Sequence, residues 1–177
     1  MKKITNKLIK SHNPCEDRLD NFNKHYPKYS DTLSNFFKLD KITYNDKMWV
    51  IKHAVGKTID IKILQQWSID CAEFIVDNYN DAYPNDNTLN NCIKMSKKYL
   101  LGECSLDKLK KAKLATYSII HSINSIAHPA IYSIADAAHS IVYSDMNSAI
   151  RSALYAIDSA ECLDQENINL SLLIALL

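Results

Sequence analysis

The chain has 177 residues, close to the size of one ordinary domain and long enough to bury a substantial core. Two glycines and four prolines are too few for the frequent tight turns of a sandwich or barrel, and the apolar residues recur at helical rather than alternating spacing. The net charge of +1 hides a polarity: 20 of the 21 cations but only 14 of the 20 carboxylates lie at or before Lys113, so the chain is +6 up to that point and −5 beyond it. That asymmetry is able to steer a protein partner, but it is too weak to indicate direct binding of nucleic acid.

Taken in chain order, MKKITNKLIK is basic but lacks the apolar stretch and small-residue cleavage site of a signal peptide, so a cytoplasmic protein is expected. Between residues 15 and 38, two short amphipathic segments break around Pro27 and Tyr29-Ser30. TYNDKMWVIKHAV then opens with a capping box from Thr43 to Asp46. From Asp60 a long helix is predicted to about Tyr79, with Leu64, Trp67, Cys71, Phe74, Ile75 and Asn78 on one core-facing side. PNDN at 84–87 turns the chain into a helix carrying Leu89, Ile93 and Leu100, which Gly102 stops. Ser105 caps a helix running to about Ala127, Pro129 opens another that ends near Ser144, and further helices begin near Asp145 and Asp164. The terminal INLSLLIALL has about half the apolar length that spans a bilayer and reads as a last docked helix, not a membrane segment.

The expected fold is therefore all-α: a single-domain multi-helix bundle, or stacked antiparallel helices, over residues 1–177. A helical preface occupies 1–57 and the helical core 58–177. The C-terminal half is rich in alanine (Ala130, Ala135, Ala137, Ala138, Ala149, Ala153, Ala156), and small side chains let helix axes approach toward the close end of the usual ~8–10 Å.

Five cysteines (Cys15, Cys71, Cys92, Cys104, Cys162) are odd in number and form no CxxC pair, so neither a disulfide framework nor a zinc site is expected, and no cofactor. Three polar lines carry the candidate chemistry. Tyr117, His121, Asn124 and His128 share a face if their helix is continuous. Tyr132, Asp136, His139 and Tyr143 form the second line, and Arg151, Tyr155 and Asp158 the third. If the lines converge, Asp136 is placed to orient His139 through one ring nitrogen, but no nucleophile, HExxH or phosphate-cradling glycine loop accompanies them. A non-enzymatic protein is expected. Trp67 is assigned to the core. Asp70, Glu73, Asp77 and Asp81 make an acidic ridge, to be neutralised by a basic partner or internally by Lys108, Lys110, Lys111 and Lys113.

The stretch LQQWSIDCAEFIVDNYNDAYPNDNTLNNCIKMSKKYLLGE at 64–103 resembles a family of helical bacterial proteins known as putative immunity proteins, which are associated with toxin systems. Trp67, Asp70, Cys71, Ala72, Glu73, Tyr83, Pro84 and Asp86 carry the likeness. It extends more loosely through His121 and His139 to about residue 160, and weakly to HNPCEDRLDNF and DKMWVIKHA. Where the family has further histidines after the position of His139, this chain has Tyr143, Asp145 and Asn147. The resemblance implies a binding protein that masks a toxin or effector, with Asp70, Glu73 and Asp77 opposed to a basic site on the partner; a homo-oligomer is compatible with it. The alternative is a phage counter-defence protein or sponge. Such a protein holds a small nucleotide-like ligand in a polar pocket of Tyr117, His121, Asp136, His139, Tyr143, Arg151 and Tyr155.

Overall fold

A computed structural model describes residues 3–120, 128–159 and 165–177. It is all-α apart from one minimal strand pair. Contacts divide the chain into two compact units, one ending at Asp60 and one spanning Ile61–Leu176.

In the first unit, β1 (Ile4–Thr5) pairs antiparallel with β2 (Ser30–Asp31), Ile4 opposite Asp31. Four short helices surround it: α1 (Asn6–Lys10), α2 (Glu16–His25), α3 (Leu33–Phe37) and α4 (Tyr44–Val50). Threonines start three of them, because a hydroxyl in extended backbone can accept an otherwise unpaired helix N–H. Thr5 accepts from Leu8 N, Thr32 from Asn35 N and Thr43 from Asp46 N. Thr43 also donates to Asp46 Oδ2 at 2.6 Å, completing the capping pair expected from sequence. A π turn (Ile51–Val55) and a 3-10 turn (Gly56–Thr58) follow α4. Phe22, Tyr29 and Phe36 pack at ring separations of 5.8–6.1 Å, and burial pushes the Tyr29 hydroxyl up to about 12. Arg18 ties α2 to α4 through Asp46 at 3.1 Å.

The second unit comprises α5 (Ile61–Ala82), α6 (Thr88–Leu100), α7 (Leu106–Ser118), α8 (His128–Tyr143), α9 (Met146–Ser159) and α10 (Gln165–Leu176). The helix expected to reach Ala127 ends at Ser118, with Ile119 as its C-cap, and residues 121–127 lie outside the described residues. Pro129 occupies the second position of α8, where its missing N–H costs nothing. Gly102, at φ +76°, ends α6, with Glu103 N donating to Lys98 O. Asp86 joins α6 to α5: one carboxylate oxygen accepts from Thr88 N and the other from the buried Tyr79 hydroxyl at 2.9 Å.

Helices α5, α8 and α9 meet along a seam of small side chains. Ala135, Ala138, Ala149, Ala153, Ser68, Ser133, Ser140 and Ser152 are fully buried there. Each hydroxyl is spent on a backbone carbonyl, as burial requires: Ser152 on Ser68 O, Ser133 on Ser152 O, Ser140 on Ala137 O, and Ser68 on Gln65 O. Gln65 adds a bond to Ser140 O at 3.0 Å. The pairings Tyr132–Tyr155, Ser133–Ser152 and Asp136–Arg151 run in opposite senses, so α8 and α9 are antiparallel. At the other side of α9, Trp67 is fully buried and donates its indole N–H to Asn169 O at 2.8 Å. The Asn169 amide donates in turn to Ala153 O.

One core assignment fails. Phe74 is 52% exposed, although it lies three residues from the buried Cys71. At 100° per residue the buried face of α5 centres on Leu64, Ser68, Cys71, Ala72, Ile75 and Tyr79, and Phe74 falls on its flank, in line with Trp67 two turns earlier, which meets Asn169 O of α10. It stands at i+4 from Asp70 and i−3 from Asp77.

These two aromatics should respond differently to truncation. Trp67→Ala, which leaves a large cavity, is expected to cost about 3–5 kcal/mol, whereas Phe74→Ala stays within about 1 kcal/mol because its ring already faces solvent. Urea denaturation of both variants, compared at constant m, checks the contrast.

Candidate functional site

Helices α7, α8 and α9 bring most of the sequence-nominated polar residues to one face. From α7 come Lys113 and Tyr117; from α8 Tyr132, Asp136, His139 and Tyr143; from α9 Ser148, Arg151 and Tyr155. Asp136 is 7% exposed and is met by Arg151 in a two-pronged ion pair, Nε to Oδ2 at 2.9 Å and Nη2 to Oδ1 at 3.1 Å. That geometry matches the guanidinium fork to a carboxylate. Arg151 Nη2 also donates to Ser148 Oγ at 2.8 Å, and the Ser148 hydroxyl donates to Asp145. Asp145 caps α9 by accepting from the backbone N–H of Asn147 and Ser148. The result is a continuous chain from Asp136 through Arg151 and Ser148 to a helix start. The hydrogen bonds that Arg151 donates to Asp136 hold its guanidinium above its ordinary value.

His139 lies one turn along α8, but its partner is not Asp136. Its Nδ1 stands 3.3 Å from Lys113 Nζ. An ammonium has only donors, so Nδ1 accepts and the neutral ring carries its proton on Nε2. Burial, reinforced by the Lys113 charge, holds the His139 imidazole below the ordinary 6.5, against the opposing pull of Asp136 and Asp145. Lys113 is itself only 7% exposed and lies 4.7 Å from the Tyr143 ring centroid and 6.0 Å from that of Tyr117. Tyr143 stacks against His139 at 4.5 Å, and Tyr132 against Tyr155 at 5.4 Å. Burial, then the nearby Asp136, raises the Tyr117 hydroxyl.

The acid/base pair conceived from sequence, Asp136 orienting His139, is thus replaced by two separate pairs, Asp136–Arg151 and His139–Lys113. His121, Asn124 and the side chain of Asp158 lie outside the described residues. His128 opens α8, its Nε2 3.1 Å from Ile120 O. Lys113 was grouped by sequence with Lys108, Lys110 and Lys111. Those three are exposed, while Lys113 follows the buried Leu109 by four residues, and this spacing was the available signal.

The acidic ridge divides differently. Asp77 and Asp81 are exposed. Asp70 is half-buried and accepts from Gln66 Nε2 at 2.7 Å; burial raises its carboxyl, against the bond from Gln66 and the charge of Lys97. Glu73 is paired with Lys97 of α6, so the internal counter-ion comes from α6, not from the lysine group of α7. Between α5 and α6 a groove of about 320 Å³ is lined by Glu73, Val76, Asn90, Ile93, Lys94, Lys97, Lys98 and Leu101. The first unit carries a separate apolar pocket of about 260 Å³, with Leu19, Phe22, Phe36, Trp49 and Val50 in its wall.

Among the described residues no three His, Cys, Asp or Glu side chains converge as a metal ion would require. Burial pushes the Cys92 thiol up to about 12 and that of Cys71 well above its ordinary value, so both are held as thiols. No helix among the described residues is long and apolar enough to cross a membrane.

The described helices of the second unit, with the ridge on α5 and the polar cluster on α7–α9, coincide with the stretch that relates this chain to others. Residues 57–170 match the Imm-5 like putative immunity protein family, and the chain belongs to that family. No curated protein and no solved structure matches it.

The His139 environment has a pH signature. Its folded-state value is depressed, so its contribution to stability is complete above about 6.5 and declines as pH falls below that value, where the unfolded chain takes up a proton the folded site resists. His139→Gln, which keeps an acceptor for Lys113, should reduce the fall in melting temperature between pH 7.5 and pH 5.5. An unchanged fall would show that His139 is not the group responsible.

Proposed function

We propose that the protein binds a toxin or effector protein and neutralises it by masking, without catalysis. The supporting observation is Phe74, a large aromatic side chain 52% exposed in the middle of the Asp70, Asp77 and Asp81 stripe. Buried aromatic anchors surrounded by polar groups supply most of the energy in protein interfaces, and an exposed ring ringed by charge on an otherwise core-building helix is the free form of such an anchor. Leu101 is 73% exposed at the edge of the α5–α6 groove. Membership of an immunity-protein family supports a protein partner in general.

The charges around Phe74 assign roles within this reading. Glu73 already has Lys97, and Asp70 has Gln66. Asp77 and Asp81 remain the exposed carboxylates for a basic site on the partner. Exposed charges of this kind set the association rate and register more than the affinity.

The product of the adjacent gene, co-expressed and purified with this protein, is the partner to test. Phe74→Ala is expected to weaken the complex by about tenfold or more, mainly through faster dissociation. Asp77→Lys should slow association and flatten its salt dependence. A complex unaffected by either change would place the interface elsewhere, and the absence of any complex or protection from toxicity would refute masking.

A further inference from the structure

We propose that the face where α7, α8 and α9 meet is a binding site for a phosphorylated aromatic small molecule of the nucleoside monophosphate class. The argument starts from Lys113. It is more than nine-tenths buried, yet among the described residues no carboxylate lies within ion-pair distance of its ammonium. Its polar neighbour is the neutral ring of His139, and its other close contacts are tyrosine π faces. A buried ammonium without a counter-charge is costly, and an anion arriving from solution would supply what the described residues do not.

The groups left without a described partner on this face include several donors. The two oxygens of Asp136 are both taken by Arg151, and those of Asp145 by the start of α9 and Ser148. The donors without a described partner are the remaining N–H groups of Lys113 Nζ, the Nη1 of Arg151 and the Nε2–H of His139, and the hydroxyls of Tyr117, Tyr143 and Tyr155 can add to them. Lys113 and Arg151 meet α8 at His139 and Asp136, positions three apart on one helix face, so both cations border the same spot. A group with several acceptor oxygens and negative charge satisfies such a set, as phosphate does. The exposed ring of Tyr143 and the Tyr132–Tyr155 pair add flat apolar surface beside it, the complement of a nucleobase. This site is separate from Phe74 and does not depend on the masking reading.

Isothermal titration of the full chain at low ionic strength with AMP, GMP, inorganic phosphate and adenosine tests the assignment. The expected result is saturable 1:1 binding of one or both monophosphates, weaker binding of phosphate alone, and none of adenosine. Tyr143→Ala, a change at a 60% exposed side chain, and Lys113→Met, which keeps the buried volume, should each weaken nucleotide binding about tenfold or more. Phe74→Ala should leave it unchanged. If Lys113→Met does not fold, Tyr143→Ala decides alone. Absence of saturable binding of both monophosphates at millimolar concentration, or binding indifferent to Tyr143→Ala, overturns the proposal; binding of phosphate as tight as that of AMP overturns its aromatic part.

Discussion

The architecture of the second unit turns on one side chain that touches two other helices. Ser152 of α9 donates its hydroxyl to the carbonyl of Ser68 on α5, and its own carbonyl accepts from Ser133 on α8. Such bonds require backbones close enough for a two-atom side chain to bridge them, and the flanking alanines make that approach possible. Each buried hydroxyl bond contributes a net of only about 0.5–1.5 kcal/mol, but leaving its partner unmet costs about 1–3 kcal/mol. The seam is therefore selective more than it is strong: α5, α8 and α9 can associate in one rotational setting, and a rotated setting strands polar groups.

Everything outward of the seam inherits that setting. With α8 and α9 held antiparallel, Asp136 comes opposite Arg151 and Tyr132 opposite Tyr155. With α7 packed beside α8, Lys113 reaches His139. On α5 the same rotation that turns Cys71, Ile75 and Tyr79 inward turns Asp77 and Asp81 outward, with Trp67 and Phe74 on the flank between them. One helix thus builds both the core and the surface proposed for recognition, and the two cannot be varied independently except along the outward stripe.

Much of this was legible before any coordinates. The helices, the Thr43 cap, the helix opening at Pro129, the stop at Gly102 and the burial of Trp67 follow from local chemistry, which acts over a few residues and is written in them. The strand pair at Ile4–Thr5 and Ser30–Asp31 was not foreseen, since two residues are too few to show a period. Phe74 misled because a three-residue step from Cys71 looks like a shared face, while the accumulated rotation along α5 carries it away from the centre of the buried stripe. Lys113 misled in the opposite sense, its charge suggesting solvent although its spacing from Leu109 indicated the interior. The polar lines on α8 and α9 could be drawn from the sequence, but which acid met which base could not, because that pairing is fixed by the stagger between helices.

The serine and alanine seam also bears on how this unit takes up heat. Burying hydroxyls, carbonyls and methyl groups in place of large apolar side chains gives an interface whose exposure on unfolding adds polar as well as apolar hydration. These contribute to the heat capacity with opposite signs. A bundle joined in this way has a small heat-capacity increment for its length and a correspondingly flat stability curve. Cooling would then weaken it less than it weakens a bundle of the same size held together by leucine and phenylalanine.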